Sequence, residues 1–448
     1  MKSLKGKNIL ILGGTAPCVH VTRFAKEMGA YVYVADEKTE KGPAKQIADE
    51  AVVISTNDFD SLLSFIKEKK IDGVLTGPGE FNIVNAMTVS KMAGLPFYCN
   101  KEQWDICQDK RHFKDFCKQY GLPGVPEYDV DDVLTEKEFP VIVKPVDGCS
   151  SRGINICRNQ EEYAKAKKAA LSVSKAGKIL VEKYVENGGV TIDAKYVVVD
   201  GRFHLEAIGD RHVLNGGLIT AISFYPSKYR ETFMEQVDPY VEKAFTAIGL
   251  KNGAFFFQAI PDGDKIYIYE MGLRVSGGMI YNMTEATSGN NTLKMLIHYG
   301  ATGTMCEKKD EEMIDATFNG KVASTMAFPL RTGTIGSYSG FDKVENWPGV
   351  IDLTRYYEVG DVIQSKHVNT LDQLFARIMV SAQDNKSLMT LIRSIRRNTT
   401  VKDTNGEEMI IWDTVDQLLK KSNGGGYNSI PQSDSDGSVT AESPHKEE

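Results

Sequence analysis

Phe139-Pro-Val-Ile-Val-Lys144-Pro-Val-Asp-Gly148-Cys-Ser150-Ser151-Arg152-Gly153-Ile154 is the stretch on which the reading of this chain turns. An apolar run from Val141 to Lys144 reads as a strand, and it delivers a lysine beside a loop of small residues. Such a loop lets several backbone N–H groups close over phosphate oxygens, with Lys144 and Arg152 adding positive charge. A buried strand lysine needs an anion. Taken alone, the segment also fits a solvated turn with a snorkelling lysine. Its neighbours argue for the first reading: Asp109-Lys110 lies upstream at the start of a helix expected over Arg111 to Tyr120, and Ile179-Leu-Val-Glu182-Lys183-Tyr184-Val185 follows as a strand ending in a turn.

Further downstream, Gly253 to Gly278 reads as a hairpin with its turn at Pro261 to Asp264. That pairing sets Gln258 and Glu270 side by side on adjacent strands. Two oxygen ligands pointing one way suit Mg2+, which keeps several waters and shares phosphate oxygens with a nucleotide.

Before the lysine loop, residues 8 to 100 alternate short apolar runs with helical patterns. Asn8 to Leu12, Tyr31 to Ala35, Ala51 to Ile54 and Gly73 to Thr76 read as buried strands, with amphipathic stretches at Val21 to Met28 and Phe59 to Lys69. This rhythm predicts a parallel Rossmann-like sheet with ligands at the carboxyl ends of its strands. A dinucleotide site would need Gly-x-Gly-x-x-Gly after the first strand, whereas Gly13 to Cys18 supplies two adjacent glycines only. After Gly320 the chain turns β-branched and aromatic to Lys366, then helical from Leu371 to Arg397, a small α+β unit.

The 448 residues suggest about three domains. Net charge is −7, and the last 27 residues from Ser422 hold five acids against one lysine, leaving a nearly neutral body. A near-neutral body argues against gripping nucleic acid or an anionic membrane as the main task. The apolar runs are too short to span a membrane, and Gly13-Gly14 interrupts the first. Seven cysteines without a Cys-x-x-Cys pair fit reduced thiols and a cytoplasmic protein. The histidines show no metal spacing, and neither a Gly-x-Ser-x-Gly elbow nor a Gly-x4-Gly-Lys-Ser/Thr loop is present.

Taken together, the lysine loop, Asp109-Lys110, Glu182 to Val185 and the Gln258/Glu270 hairpin resemble the ATP-grasp superfamily of carboxylate-amine ligases. The run Arg331 to Gly336, Trp347-Pro-Gly-Val, Gly360-Asp361 and Phe375 to Ile378 resembles its L-amino-acid ligase and carbamoyl-phosphate-synthetase-like branch. The resemblance implies an α/β and α+β architecture: a Rossmann-like domain over 1–108, a two-lobed clamp over 109–312 with its lid at about 122–186, and a carboxyl-terminal unit over 313–421; residues 422–448, with Tyr427, Ile430, Val439 and Ala441 as their apolar residues, read as a disordered tail. It implies ATP with one or two Mg2+ ions as cofactors. Lys110, Lys144, Gly148, Ser150, Ser151, Arg152 and Gly153 would hold phosphates, and Glu182, Lys183, Tyr184 and Val185 would form the hinge that reads the adenine. Gln258 and Glu270 would bind metal.

On the same grounds, Arg274 would stabilise charge on an acylphosphate, with Gly277 and Gly278 offering N–H groups as an oxyanion hole. Arg211 is read as a partner of a substrate carboxylate, or alternatively as a surface ion pair with Asp210. The implied reaction joins a small carboxylate, of amino-acid type, to an amine through an acylphosphate, releasing ADP and phosphate. Alternatives are a bicarbonate-activating carboxylase and a non-catalytic ATP-binding module. Partners would be the small-molecule carboxylate and amine, without nucleic acid or membrane, and a homodimer is the assembly considered.

The chain departs from the family pattern in two places. Gly272 stands where the family has an asparagine that holds a second Mg2+. A neighbour such as Asn282 substitutes, or Glu270, phosphates and water hold the second ion, or catalysis is impaired; a positive-φ backbone is a further reason for glycine. Near the ribose, Gly188-Gly189-Val190 replaces an acidic residue, leaving Glu186 or Asp193 to stand in.

Overall fold

The computed structural model describes residues 2–38, 42–131, 133–146, 153–214 and 219–422. The chain opens with β1 (Asn8–Leu12), β2 (Tyr31–Ala35), β3 (Glu50–Val52) and β4 (Gly73–Thr76), one parallel sheet of order β3-β2-β1-β4. Their sequences are almost continuously apolar because both faces are covered. Ile9, Ile11, Val32 and Val34 pack with helix Val19–Glu27, while Leu10, Leu12 and Val74 pack with helices Phe59–Lys69 and Glu80–Ala93. β3 ends at Val52, short of the expected Ile54. At the carboxyl ends, the Gly14 N–H donates to Asp36 Oδ2 at 2.8 Å. That engages an N–H a dinucleotide pyrophosphate would need.

Next, β5 (Glu127–Tyr128), β6 (Val141–Pro145), β7 (Asn155–Cys157) and β8 (Ile179–Lys183) form an antiparallel sheet, order β5-β8-β6-β7, backed by helix Gln160–Val173. The remaining strands are β9 (Val190–Val199), β10 (Arg202–Val213), β11 (Thr220–Tyr225), β12 (Gly253–Asp262), β13 (Lys265–Gly272), β14 (Val322–Pro329), β15 (Gly333–Ser339), β16 (Val350–Arg355), β17 (Val362–Ile363), β18 (Leu374–Ala382) and β19 (Thr400–Asp403). Eight of them make one antiparallel sheet, β13-β12-β9-β10-β11-β14-β18-β16; β17, β15 and β19 make a small fourth sheet.

The sheet shows where a helical reading fails. Leu371 to Arg397 is not one helix: Leu371–Gln373 is a short 3-10 turn, Leu374–Ala382 is strand β18 between β14 and β16, and the α-helix runs over Asn385–Asn398. The run Leu-Phe-Ala-Arg-Ile-Met-Val-Ser-Ala is buried on both faces along most of its length, and such a run has no periodicity to tell strand from helix. The hairpin turn is also tighter than expected, with Gly263 at φ +61° between strands that run to Asp262 and from Lys265.

One face of the eight-stranded sheet is an aromatic core. Tyr196 stacks on Phe255 at 5.0 Å and Phe245 on the same ring at 4.4 Å, with Phe257 beside them. The opposite face of β9 presents Thr191, Asp193 and Lys195, the other phase of the period-two alternation. Ser422, assigned to the tail from sequence, is buried against helix Asn385–Asn398, where Arg393 donates to its hydroxyl. Residues 423 onward lie outside the described residues. Among the described residues, no helix is long and apolar enough to cross a membrane, and six cysteines are free and buried.

Candidate functional site

Asp109 caps helix Lys110–Tyr120 through the N–H groups of Arg111 and His112, both at 2.9 Å. The cap fixes Lys110 in the first turn and Lys114 one turn further along the same face. Lys114 reaches the buried Glu182 of β8, and on the other carboxylate oxygen Glu182 meets Lys144 of β6 at 2.5 Å. The register makes this possible, since Glu182 pairs with Ile142 on one side and Glu127 on the other. Burial alone would push the Glu182 carboxyl up, but Lys144 and Lys114 outweigh it and hold the group below its ordinary value. Two ammonium groups on one carboxylate leave a net positive charge at the root of the lysine loop. Of that loop, Gly148, Ser150, Ser151 and Arg152 lie outside the described residues; Gly153 is at φ +77° beside Pro145.

The chain leaves the four-stranded sheet after Lys183 and enters the eight-stranded sheet at Val190, so Tyr184 to Gly189 links the two layers. The Lys183 ammonium ion-pairs with Asp262 at 2.5 Å, and its N–H donates to Pro126; the Tyr184 N–H donates to Pro140. The Val185 N–H has no hydrogen bond among the described residues. Glu186 pairs with Arg158.

Across the eight-stranded sheet, Glu270, Gln258, Asp193 and Gly209 fall in one cross-strand row. Glu270 is exposed, and its side chain has no hydrogen bond or ion pair to a described residue. Gln258 Oε1 accepts from the Tyr269 hydroxyl at 2.7 Å, leaving one acceptor site. Asp193 Oδ2 meets the buried Lys195 at 2.6 Å, while its Oδ1 is buried without a hydrogen-bond partner among the described residues. Burial alone would lower the Lys195 ammonium, but Asp193 and Tyr225 hold it above its ordinary value.

The next row places Gly272, Phe256 and Lys195 together. Gly272 is not in the positive-φ region. Its reason is space: a Cβ there would sit 2.5 Å from Phe256 Cε1 and 2.6 Å from Cζ. The Phe256 ring is buried, with the Arg274 guanidinium over it at 5.2 Å. Gly272→Asn is therefore expected to destabilise the fold by about 1–3 kcal/mol through overpacking, read as a lower urea midpoint at unchanged m-value.

Arg274 also joins the first sheet to this face, donating to Glu80 at 3.2 Å at the start of helix Glu80–Ala93. Its Nε has no hydrogen-bond partner among the described residues. A narrow cavity of mixed lining lies here, bounded by Lys195, Glu206, Phe256, Arg274, Ser276 and Tyr281 among others. A second, mainly apolar one lies on the other side of Arg274, lined by Val21, Leu75, Gly77, Phe97 and Leu293 among others.

The lysine-bearing sheet, the linking segment and the oxygen row match a known arrangement: the family model for the ATP-grasp domain covers residues 137–282. The chain carries an ATP-grasp domain. The carbamoyl phosphate synthase large chain of Clostridium botulinum is 23% identical over 276 residues, 59% of this chain and 25% of that one. The chain spans about a quarter to a half of the length of the first curated relatives it matches. Among solved structures, L-amino acid ligase from Bacillus licheniformis superposes with a TM-score of 0.72 at 17% identity, covering 90% of this chain and 100% of that one. The biotin carboxylase domain of Hydrogenobacter thermophilus 2-oxoglutarate carboxylase, solved with MgADP and bicarbonate, superposes with a TM-score of 0.71 at 20% identity, covering 95% and 97%. At these identities the superpositions establish the fold.

Within the ATP-grasp domain, Arg211 does not pair with Asp210. Successive residues of β10 face opposite ways: Arg211 donates to the Thr220 hydroxyl at 3.0 and 2.8 Å, while Asp210 accepts from Ser227 and the Lys228 N–H. Arg211 lies on the Asp193 face and feels both Asp193 and Glu270. The N–H groups of Gly277 and Gly278 have no hydrogen bond among the described residues, and Arg377 of β18 donates to the Gly277 carbonyl at 3.2 Å.

Sequence reasoning missed Lys114, Lys195, Glu206 and Phe256. Lys195 had a readable signal, the polar alternation Thr191, Asp193, Lys195 within an otherwise apolar strand. Lys114 and Glu206 had none, because their places depend on the register between elements far apart in the chain; Phe256 lies opposite Gly272 in the same hairpin as Gln258 and Glu270, and only the position of its ring was not readable.

Proposed function

We propose that the chain is an ATP-dependent ligase that activates a small carboxylic acid as an acylphosphate and passes it to an amine. The observation that carries this reading is that the segment Lys183 to Val190 joins a sheet whose Glu182 is paired with two ammonium groups, Lys114 and Lys144, to a sheet that sets the side-chain oxygens of Gln258 and Glu270 in one row. Lys110, Lys144 and the loop to Gly153 hold the triphosphate, and Lys114 keeps Glu182 neutralised when Lys144 engages phosphate. The Val185 N–H and the hinge backbone at Glu182, Lys183 and Tyr184 read the base.

Gln258 and Glu270 suit Mg2+, since both present side-chain oxygens in one row and Glu270 has no described partner. When bound, the metal neutralises phosphate charge. Arg274 holds the carboxylate being activated, because it is the cation shared by both cavities. Gly277 and Gly278 offer N–H groups to the oxyanion that forms as the amine attacks. Arg211 keeps the oxygen row electrostatically balanced. The apolar lining around Leu75, Phe97 and Leu293 suits an acid with a small apolar side chain.

The test is ATP-dependent hydroxamate formation. Hydroxylamine intercepts an acylphosphate whatever the natural amine, so the expected result is hydroxamate with one or more apolar amino acids. ATP consumed with bicarbonate alone would favour the carboxylase reading, which the likeness to the biotin carboxylase domain supports. Against that reading, Val275 to Gly278 supplies no acidic residue after Arg274 to activate bicarbonate. ATP binding without hydroxamate from any carboxylate would favour the non-catalytic module.

A further inference from the structure

Two glycines open the sheet surface beside the oxygen row, each for one aromatic ring. A Cβ on Gly209 would lie 2.3–2.6 Å from Tyr225 ring atoms, as one on Gly272 would meet Phe256. Both rings therefore occupy the space a Cβ would take, and each carries a cation: Lys195 stands over Tyr225 at 5.4 Å and Arg274 over Phe256 at 5.2 Å. Lys195 is rooted in the Phe256–Gly272 row, but its ammonium is drawn one row along to Asp193, the row that also holds Gln258 and Glu270. The Phe256 ring fills the space beside Gly272, so position 272 provides no side-chain oxygen there. Helix Ile280–Thr287, which bears Asn282, packs on β10, β16 and β18.

We infer that Lys195 supplies the second positive charge of this site as an ammonium, so that the chain loads its nucleotide with one divalent cation where a two-ion site would need an oxygen ligand at position 272. This rests on the nucleotide reading above. A fixed ammonium does for phosphate charge what an added ion would do, without needing a ligand shell. Glu206 completes the arrangement from the far side of the cavity. Its carboxylate accepts from Asn290 at 3.1 Å and from Thr292, and Lys195 acts on it through space without closing to an ion pair.

The deciding measurement is Mn2+ binding to the full chain with a non-hydrolysable ATP analogue, counted by the electron paramagnetic resonance of free Mn2+. One Mn2+ per chain supports the inference. Two per chain overturns it and leaves the nucleotide reading standing; no analogue-dependent Mn2+ overturns both. Lys195→Met should still bind one Mn2+ and lose about 10^2-fold or more in ATP turnover. Retention of turnover within about threefold of wild type in a folded Lys195→Met protein would overturn the role, on the scale of an ordinary electrostatic contribution.

The pair with Asp193 could alone explain the effect of that variant, and the double variant Lys195→Met/Asp193→Asn separates the two. If Lys195 only neutralises Asp193, the double variant regains turnover and the inference fails. If the ammonium serves the nucleotide, turnover stays low while the melting temperature recovers.

Discussion

Glu270→Ala is expected to lower ATP-dependent hydroxamate formation by about 10^2-fold or more while leaving the melting temperature close to wild type. The two halves of this result have separate causes. Glu270 is exposed, and its side chain makes no hydrogen bond or ion pair to a described residue, so its loss removes little from the folded state. Under the proposed function it is the shared oxygen ligand beside Gln258, so its loss removes charge stabilisation from the transferring phosphoryl group. Steady-state ADP release with melting followed by circular dichroism reads both. A well-folded Glu270→Ala protein with near-normal turnover would remove the metal assignment of the hairpin.

The second large effect is on stability. Glu182→Ala should destabilise the protein by about 3–5 kcal/mol at neutral pH, because two largely buried ammonium groups lose the carboxylate between them. Glu182 has a lowered folded pKa, so its contribution is present above the unfolded carboxyl value, about 4.3, and is lost as pH falls through the folded value. The stability gap between wild type and variant should therefore be widest near neutrality and close in acid. Urea melts at pH 7 and across the acid range measure it. A gap independent of pH would show that Glu182 acts through packing alone. Glu182→Gln, which keeps the shape and one acceptor, should fall between.

The parallel sheet at the amino terminus was legible because its strands are short apolar runs bounded by glycine and acidic loops, and β1, β2 and β4 have the limits read from sequence. The Gln258 and Glu270 pairing was equally legible, because a short hairpin leaves few registers open. Strand β18 was not, since a segment buried on both faces gives no amphipathic period. Gly272 shows the same limit in one residue. Its absence of a side chain is plain in the sequence, but the cause is a Phe256 ring on the neighbouring strand rather than a backbone angle.

What the sequence by itself determined is therefore whatever depends on near neighbours: strands and helices with a clear period, the capped start at Asp109, and the hairpin that pairs Gln258 with Glu270. Tertiary structure alone decided the charges around them. Lys114 and Lys144 meet on Glu182 only because a helix and two strands pack in one register, and Asp193, which holds Lys195, joins the row of Gln258 and Glu270 only because β9 pairs with β12. Coulomb energy depends on separation in space and on burial, and neither is set by separation along the chain.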